Sequence, residues 1–244
     1  MPKVNKASTI FSDRFPSSFD YDSMPHVHDI KGIFEKHADV VDHVQELMMR
    51  YGVQDKLALF AFHKHFDVPA GHVLLLEKID IAGGDRGEVV YPVPVSTLGH
   101  VHPVAYYVND GRLQPYKYAK GDGPDLTPLL NFLHEFVEVI SQLSVAHVFS
   151  IKLPNVSPHV AMAEAEIPEF GATALVPIKY FGEDYLPGSQ AAAVFDACGH
   201  DDEHHGASAV KAGKHSVWVS GKTSVNPATA AAFSILEVGV QTIA

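Results

Sequence analysis

The sequence predicts an α+β fold: a mainly antiparallel sheet built of hairpins, together with two principal helices. Short apolar runs with the length and alternation of strands recur along the chain, and turn residues join several of them into neighbouring pairs. Two longer segments carry apolar residues at helical spacing. The chain has 244 residues, of which 46% are hydrophobic, and this is enough for one ordinary core.

The first elements are an arm and a helix. Residues 1–28 are rich in Ser, Asp, Phe and Pro and show no period, so we expect an extended N-terminal arm that lies on the body. Residues 29–244 contain no repeat or long linker, and we expect them to form a single α+β domain. Apolar residues recur at helical spacing from Asp29 to Tyr51, and Gly52 follows as a stop, which predicts the first helix.

Two hairpins are predicted in the middle of the chain. Strand-like runs from Leu57 to Val68 and from His72 to Ile81 are joined by Pro-Ala-Gly, a composition typical of turns. A second pair of runs, from His100 to Val108 and from Leu113 to Tyr118, is joined by Asn-Asp-Gly. This second pair is the clearest hairpin signal in the sequence.

The remaining elements are one helix and several strands. The run from Val89 to Val95 contains Pro92 and Pro94, which suits an edge strand because proline cannot donate a ladder hydrogen bond. Apolar residues at helical spacing after Thr127-Pro128 predict a second helix that reaches Leu143. Further strands are predicted over Val145–Leu153, Thr173–Tyr180, His215–Val219 and Ala232–Val240.

Composition excludes several classes of partner. Lys plus Arg is 18 and Asp plus Glu is 29, so the formal net charge of −11 opposes binding to nucleic acid or to anionic membranes. No segment approaches the roughly 18 apolar residues of a membrane span, and residues 1–19 lack the apolar stretch of a signal peptide. Cys198 is the single cysteine, so no intrachain disulfide is possible, and we expect a cytoplasmic protein.

Histidine is the unusual feature of the sequence. There are 16 His against one Cys, which favours metals bound through nitrogen and oxygen over thiolate sites. The spacing His-x-His occurs at His63/His65, at His100/His102 and in the arm at His26/His28. In an extended chain two side chains separated by one residue share a face about 6.5–7 Å apart, so each pair can direct two imidazoles at one point.

The two pairs outside the arm predict a metal site. Four imidazoles from His63, His65, His100 and His102, or three of them with a carboxylate, would satisfy Zn, Fe, Ni or Cu. Glu77, the nearest downstream glutamate to the first pair, is the candidate to complete the site or to act as a catalytic base. The alternative is that these histidines are hydrogen-bonded structural residues or surface pairs.

Other motifs are weaker or absent. The His-x-His pattern invites a comparison with cupins, but neither pair is followed at the expected spacing by the glutamate and glycine of that family. The tract from His200 to His205 can bind divalent metals, although a solvated loop explains it more simply. His134-Glu135 is not part of a His-Glu-x-x-His helix, and no Walker loop, nucleophile elbow or dinucleotide fingerprint occurs.

One segment carries a resemblance. Gln54-Asp55-Lys56, the apolar run after it and His63-Lys64-His65-Phe66 together resemble a segment of uncharacterised fungal proteins, in which a His-basic-His-Phe motif follows a similar strand. The resemblance covers about residues 40–77. It implies a soluble intracellular protein, suggests a fungal origin and singles out His63 and His65, and it carries no activity.

Three functions remain open on the sequence. The first is a metal-dependent enzyme that acts on a small molecule, with the His-rich site activating water or dioxygen. The second is a non-catalytic protein that binds a small molecule or a partner, with structural or pH-responsive histidines. The third is metal storage or sensing through the tract from His200 to His205.

Overall fold

The computed structural model describes residues 10–30, 32–81, 85–153, 162–167, 170–177 and 216–219. Over these residues the chain forms one sheet and a few helices, in agreement with the α+β class. The α-helices are α1 (Ser18–Asp22), α2 (Ile33–Lys36), α3 (Ala38–Tyr51) and α4 (Leu130–Gln142). The strands are β1 (Ala58–Ala61), β2 (His72–Ile81), β3 (Asp85–Pro94), β4 (Val101–Asn109), β5 (Arg112–Lys120), β6 (Phe149–Lys152), β7 (Met162–Ile167), β8 (Ala172–Pro177) and β9 (Ser216–Val219). Short 3-10 turns cover Val27–Ile30, Val95–Thr97 and Thr127–Leu129.

The first predicted helix is divided into three pieces. A 3-10 turn precedes α2, and Gly32 between them adopts a left-handed φ of 68°, which an α-helix cannot contain. His37, with φ −120° and ψ 38°, separates α2 from α3. The predicted stop is confirmed, because Gly52 is left-handed at φ 61° and its N–H donates to the carbonyls of Met48 and Met49.

The sheet is mixed, which differs from the prediction of hairpins in an antiparallel sheet. Its strand order is β1-β6-β4-β5-β2-β3-β8-β7-β9. Neighbouring strands are antiparallel except for β2 with β5 and β7 with β9, which are parallel. Both parallel pairs join strands that are distant in the sequence. Because no short turn connects such strands, the local sequence does not predict their pairing.

The predicted hairpin of β1 and β2 is not formed. β1 pairs with β6, whereas β2 pairs with β3 and β5. β1 ends at Ala61, and the backbone of Lys64 then binds the arm through its N–H to Pro25 and its carbonyl to Val27. The segment after β1 therefore leaves the sheet before the Pro-Ala-Gly turn is reached.

The second hairpin is confirmed. β4 and β5 pair antiparallel, and the turn between them contains Asp110 at φ 48° and Gly111 at φ 69°. Two successive residues with positive φ give the turn whose twist matches that of the strands. Hairpin geometry is thus set here by the local sequence Asn-Asp-Gly.

β3 is not an edge strand, although it carries two prolines. It pairs along its whole length with β2, and its pairing with β8 covers only Glu88 to Val90. Pro92 and Pro94 lie beyond that pairing, where no ladder hydrogen bond to β8 is needed. The prolines therefore limit the length of the β3–β8 ladder and do not exclude β3 from the interior of the sheet.

The arm contributes to the core, and part of it is helical. Its helix α1 begins with a capping box, in which the Ser17 side chain accepts from the Asp20 N–H and the Asp20 side chain accepts from the Ser17 N–H. Tyr21 follows and is fully buried. Its hydroxyl donates to the Tyr116 carbonyl at 2.7 Å and accepts from the Leu74 N–H at 3.2 Å, so it joins β5 to β2.

The sheet is strongly curved. Lys152 on β6 lies 2.5 Å from the Glu88 carboxylate on β3, although three strands separate them in the sheet. Both side chains are buried, so this ion pair spans the concave face.

Among the described residues, no helix is long and apolar enough to cross a membrane. Cys198, the tract from His200 to His205 and the predicted strand Ala232–Val240 lie outside the described residues.

Candidate metal centre

Three buried side chains from two distant parts of the chain meet on the concave side of the sheet. His63 and His65 follow β1, and Glu164 belongs to β7, near the other end of the strand order. Each offers one ligand atom, and these atoms lie within 4.8 Å of one another. The group of His63, His65 and Glu164 is hereafter called the His–His–Glu cluster.

The ligand atoms of the cluster form a nearly equilateral triangle. The Nε2 atoms of His63 and His65 are 3.1 Å apart, and Oε2 of Glu164 lies 3.3 Å from the first and 3.2 Å from the second. Ligand atoms about 2.0–2.1 Å from a tetrahedral zinc ion are separated from each other by roughly 3.3–3.4 Å. The cluster can therefore hold a metal ion with little movement of its side chains.

Hydrogen bonds on the far side of each imidazole fix which nitrogen faces the cluster. Nδ1 of His63 lies 2.8 Å from the carbonyl oxygen of Ala61, which can only accept, so this nitrogen carries the proton. Nδ1 of His65 lies 3.4 Å from Oε1 of Glu166 and likewise donates. In the neutral form of each ring the Nε2 lone pair then points at the cluster, whereas a protonated ring donates from Nε2 to Glu164. Such outer partners are typical of metal-binding histidines.

Burial and charge oppose each other in the cluster. Burial alone would raise the pKa of Glu164, but hydrogen bonds from His63 and His65 hold it well below its usual range. Burial lowers the pKa of His63 and outweighs its hydrogen bond to Glu164. Burial also acts on His65, yet its hydrogen bonds to Glu164 and Glu166 raise its pKa overall. The arrangement therefore favours the ionised form of Glu164.

The structure does not bring the second predicted pair to this cluster. Nε2 of His100 lies 2.6 Å from the carboxylate of Asp122, and both side chains are exposed. Nδ1 of His102 donates to the carbonyl of Gly121 at 2.9 Å. The two pairs share the His-x-His spacing. The hydrogen-bond partners of His100 and His102, however, come from the loop after β5.

Glu77, the predicted catalytic base, also lies elsewhere. It forms an ion pair with Lys120 and accepts a hydrogen bond from Tyr91. With His102 it lines a cavity of about 840 Å³ between the middle of β2, the start of β4, the end of β5 and the loop before α4. The floor of this cavity is apolar, with Leu76, Val104, Ala119, Leu126, Leu129 and Leu153 among its lining residues. His102 and Glu77 thus share a cavity that the His–His–Glu cluster does not line.

The arm contacts the cluster from outside. His26 forms an isolated bridge with Lys64, and its Nε2 lies 3.1 Å from the carbonyl oxygen of His65. This hydrogen bond holds the main chain of the residue that supplies the second imidazole. The His-x-His pair in the arm therefore includes one supporting residue, whereas the side chain of His28 lies outside the described residues.

The sequence analysis predicts neither Glu164 as the third ligand nor β7 as a strand. Residues 162–167 read Met-Ala-Glu-Ala-Glu-Ile, in which glutamate alternates with small or apolar residues at the period of a strand. This alternation puts Glu164 and Glu166 on one face. Two carboxylates on one face of a strand are the signal that the sequence offers. The local sequence does not indicate, however, that this face meets His63 and His65.

Comparison with known proteins adds no relative from which a function could be transferred. No protein-family model matches the chain, no curated protein matches it, and no solved structure matches it.

Proposed function

We propose that the protein is a metal-dependent enzyme that acts on a small molecule, with a divalent transition metal held by His63, His65 and Glu164. The observation that supports this most is the orientation of the two imidazoles. Each directs a lone pair at the Glu164 carboxylate because an acceptor on its far side keeps the Nδ1 proton. Three electron-pair donors at mutual distances of 3.1–3.3 Å repel one another unless a metal ion or a proton lies between them.

The number of protein ligands favours catalysis over a purely structural metal. Structural zinc sites are usually closed by four protein ligands, whereas catalytic sites keep three and leave a position for water or substrate. Among the described residues, three side chains form the group. A metal bound there would supply Lewis acidity and an activated water molecule or bound dioxygen.

The ligand set leaves two reaction classes open. Two His and one carboxylate hold zinc in several hydrolases, and the same set holds iron in oxygenases that use dioxygen. The role of the protein is the same in both: Ala61 and Glu166 orient the imidazoles, and Glu164 supplies the negative charge. The identity of the metal therefore decides whether water or dioxygen is activated.

A second candidate is a non-catalytic protein that binds a small molecule. Two observations favour it: the cluster can satisfy its own charges when His65 holds a proton, and a separate cavity of about 840 Å³ is lined by His102 and Glu77. In this alternative the histidines stabilise the fold and the cavity takes the ligand. Cytoplasmic location belongs to either proposal, since a single cysteine leaves no disulfide to form.

The decisive experiment measures metal in the untagged protein. We expect about one transition metal ion per chain by inductively coupled plasma mass spectrometry after purification without added metal. His63→Ala and Glu164→Gln should lose it, whereas His100→Ala, which removes an exposed histidine outside the cluster, should keep it. Metal content that is zero in the wild type, or equal in all four proteins, would contradict the proposed enzyme.

Chelation separates the two candidates. If the metal belongs to the folded protein, removing it with a chelator should lower the midpoint of thermal unfolding, because a ligand that binds only the native state stabilises it. A metal-free protein whose unfolding midpoint is unchanged by chelator would favour the second candidate. The search would then turn to organic ligands of the cavity.

A further inference from the structure

A β-bulge directs one lysine into the concave face beside the His–His–Glu cluster. The pairing of β4 with β5 shifts register on both sides of Ala105, which lies opposite Lys117. The shift leaves Tyr116 as an extra residue between Pro115 and Lys117 on β5. Such bulges turn consecutive side chains towards one face and are common next to functional sites. Tyr116 and Lys117 accordingly lie together, with Nζ of Lys117 5.6 Å from the centre of the Tyr116 ring.

The surroundings of Lys117 connect it to the cluster. Lys117 is 9% exposed. The Tyr116 ring lies below its ammonium group and packs edge-on against the Phe62 ring, with 5.2 Å between the ring centres. Phe62 directly precedes His63. Leu74 lies opposite Lys117 on β2, so the two side chains share a face of the sheet, and Leu74 packs in the same core cluster as Phe62 and Tyr116. Lys117 therefore lies on the face of the sheet against which the segment leading into His63 packs.

Lys117 differs from its neighbour Lys152 in having no counter-ion. Ala105 lies between the two lysines, since it pairs with Lys117 on one side and with Lys152 on the other. Lys152 forms its ion pair with Glu88. Within the described part of the chain, Lys117 has no carboxylate partner, and its ammonium group lies over the face of the Tyr116 ring. A buried ammonium group without an anion is costly, so an anion that occupies this place is favoured.

We propose that Lys117 binds a carboxylate group of the substrate, next to the metal held by the His–His–Glu cluster. This inference rests on the proposed function and specifies its substrate class as a small carboxylic acid. Glu166, which contacts His65, is the most exposed carboxylate beside the cluster, with its side chain 26% exposed.

Charge and donor geometry favour a carboxylate over a phosphate. With a divalent metal present, the metal and Lys117 exceed Glu164 and Glu166 by one positive charge, which one carboxylate balances. Lysine acts as a single point charge, whereas phosphate sites usually combine several donors, such as arginine forks or a run of backbone N–H groups. In the described region, Lys117 is the one unpaired cation that faces the cluster.

The test uses cobalt as a visible reporter of the metal site. The full-length wild type and Lys117→Met are loaded with Co²⁺ and titrated with glycolate, or with glycolamide as its neutral analogue, while the d–d absorption is followed. We expect glycolate to bind the wild type at least about tenfold more tightly than it binds Lys117→Met, with glycolamide equal in both. Methionine keeps a flexible chain over the Tyr116 ring and removes only the charge.

The matched control is Lys120→Met. Lys120 lies on the same strand but is 68% exposed and paired with Glu77, so its loss should leave glycolate binding unchanged. Equal glycolate affinity in the wild type and Lys117→Met, with Co²⁺ bound in both, would overturn this inference and leave the metal centre standing. A wild type that binds no Co²⁺ would overturn the metal centre itself, and the inference with it.

A variant that fails to fold does not end the test. Lys117→Gln then replaces Lys117→Met, with the same expected loss of glycolate affinity. The wild type also gives a measurement that needs no variant: glycolate should bind it at least about tenfold more tightly than glycolamide. Equal affinity of the wild type for the two compounds would overturn the inference.

Discussion

His63 and Glu164 are 101 residues apart in the sequence, and their side chains are 3.3 Å apart in the structure. The contact joins the segment after β1, at one end of the strand order, to β7 near the other end. It is possible only because the sheet curves, as the Lys152–Glu88 ion pair also shows. The candidate metal centre is thus a product of sheet curvature, and its ligands hold the two ends of the sheet together.

Removing the negative charge of Glu164 should weaken metal binding more than any change outside the ligand triangle. Glu164→Gln keeps the size of the side chain but lowers its strength as a ligand, and we expect metal affinity to fall by more than about 100-fold. Competition with a fluorescent chelator measures this. Glu138→Gln, on the exposed face of α4, is the matched control and should leave affinity unchanged. A loss that is the same in both variants would contradict the assignment of Glu164.

Glu166 should act through His65. Its carboxylate accepts the Nδ1 proton and thereby orients the ring, and loss of such outer partners typically costs about 10–100-fold in metal affinity. Glu166→Gln retains an acceptor and should lie near the lower limit, whereas Glu166→Ala should lie near the upper limit. The same chelator competition orders the variants. If Glu166→Ala binds metal as tightly as the wild type, Glu166 does not position His65.

Local signals in the sequence predicted what is local in the structure. Asn-Asp-Gly predicted the hairpin of β4 and β5, Gly52 predicted the end of α3, and the spacing of His63 and His65 predicted two converging imidazoles. The third ligand was not predictable in this way. Strand order determines which carboxylate meets the pair, and strand order depends on packing between distant segments.

The differences between the predicted and the observed arrangement have the same origin. A Pro-Ala-Gly turn suggested that β1 pairs with β2, but the arm binds the backbone of Lys64 and directs the chain away from the sheet. His100/His102 matches His63/His65 in spacing, yet in the described part of the chain its partners are Asp122 and the carbonyl of Gly121. Glu77 is close to His65 in sequence, but its partners are Lys120 and Tyr91. The spacing of two histidines describes a single segment of the chain, whereas this site needs side chains from at least two segments.

The buried ion pair of Lys152 and Glu88 should be costly to break and less costly to replace. Lys152→Met leaves the Glu88 carboxylate, which is 1% exposed, without a counter-ion and should destabilise the fold by about 3–5 kcal/mol. Lys152→Met combined with Glu88→Leu removes both charges and should recover much of this loss. Urea unfolding of the wild type, the single variant and the double variant measures the coupling. A double variant no more stable than Lys152→Met would contradict this account.

Asp20 should make stability depend on pH in the acid range. The hydrogen bond and charge of Arg14, with further hydrogen bonds from Ser17, hold the pKa of Asp20 well below its ordinary value. A depressed pKa stabilises the fold above the unfolded pKa of about 3.9, and this contribution is lost as pH falls towards the folded pKa. The free energy of unfolding should therefore decrease more steeply below about pH 4 in the wild type than in Asp20→Asn.

Asp22, an exposed carboxylate in the same helix, is the control for the effect of Asp20→Asn on the free energy of unfolding at neutral pH. Asp20→Asn also weakens the capping box of α1 and should cost about 1–2 kcal/mol at pH 7. Asp22→Asn changes an exposed carboxylate in the same helix and should cost less than about 0.5 kcal/mol. Denaturant unfolding at pH 7, 4 and 3 gives both quantities. Parallel pH profiles for the wild type and Asp20→Asn would exclude Asp20 as the source of acid sensitivity.

The hydroxyl of Tyr21 should be worth far more than that of an exposed tyrosine. It replaces a missing ladder contact between β2 and β5 by donating to the Tyr116 carbonyl and accepting from the Leu74 N–H. Tyr21→Phe leaves both backbone groups buried without a partner, so we expect a loss of about 1–3 kcal/mol. Tyr51→Phe removes the hydroxyl that donates to Glu135 at the surface and should lower the free energy of unfolding much less than Tyr21→Phe does.

Hydrogen exchange shows where the Tyr21 effect acts. The Leu74 amide should exchange faster in Tyr21→Phe than in the wild type, because its acceptor is the Tyr21 hydroxyl. Amides of α4 should change only by the global loss of stability, since that helix packs in a different core cluster. An unchanged Leu74 amide together with an unchanged unfolding free energy would mean that water replaces the hydroxyl, and that the arm does not help to join β2 to β5.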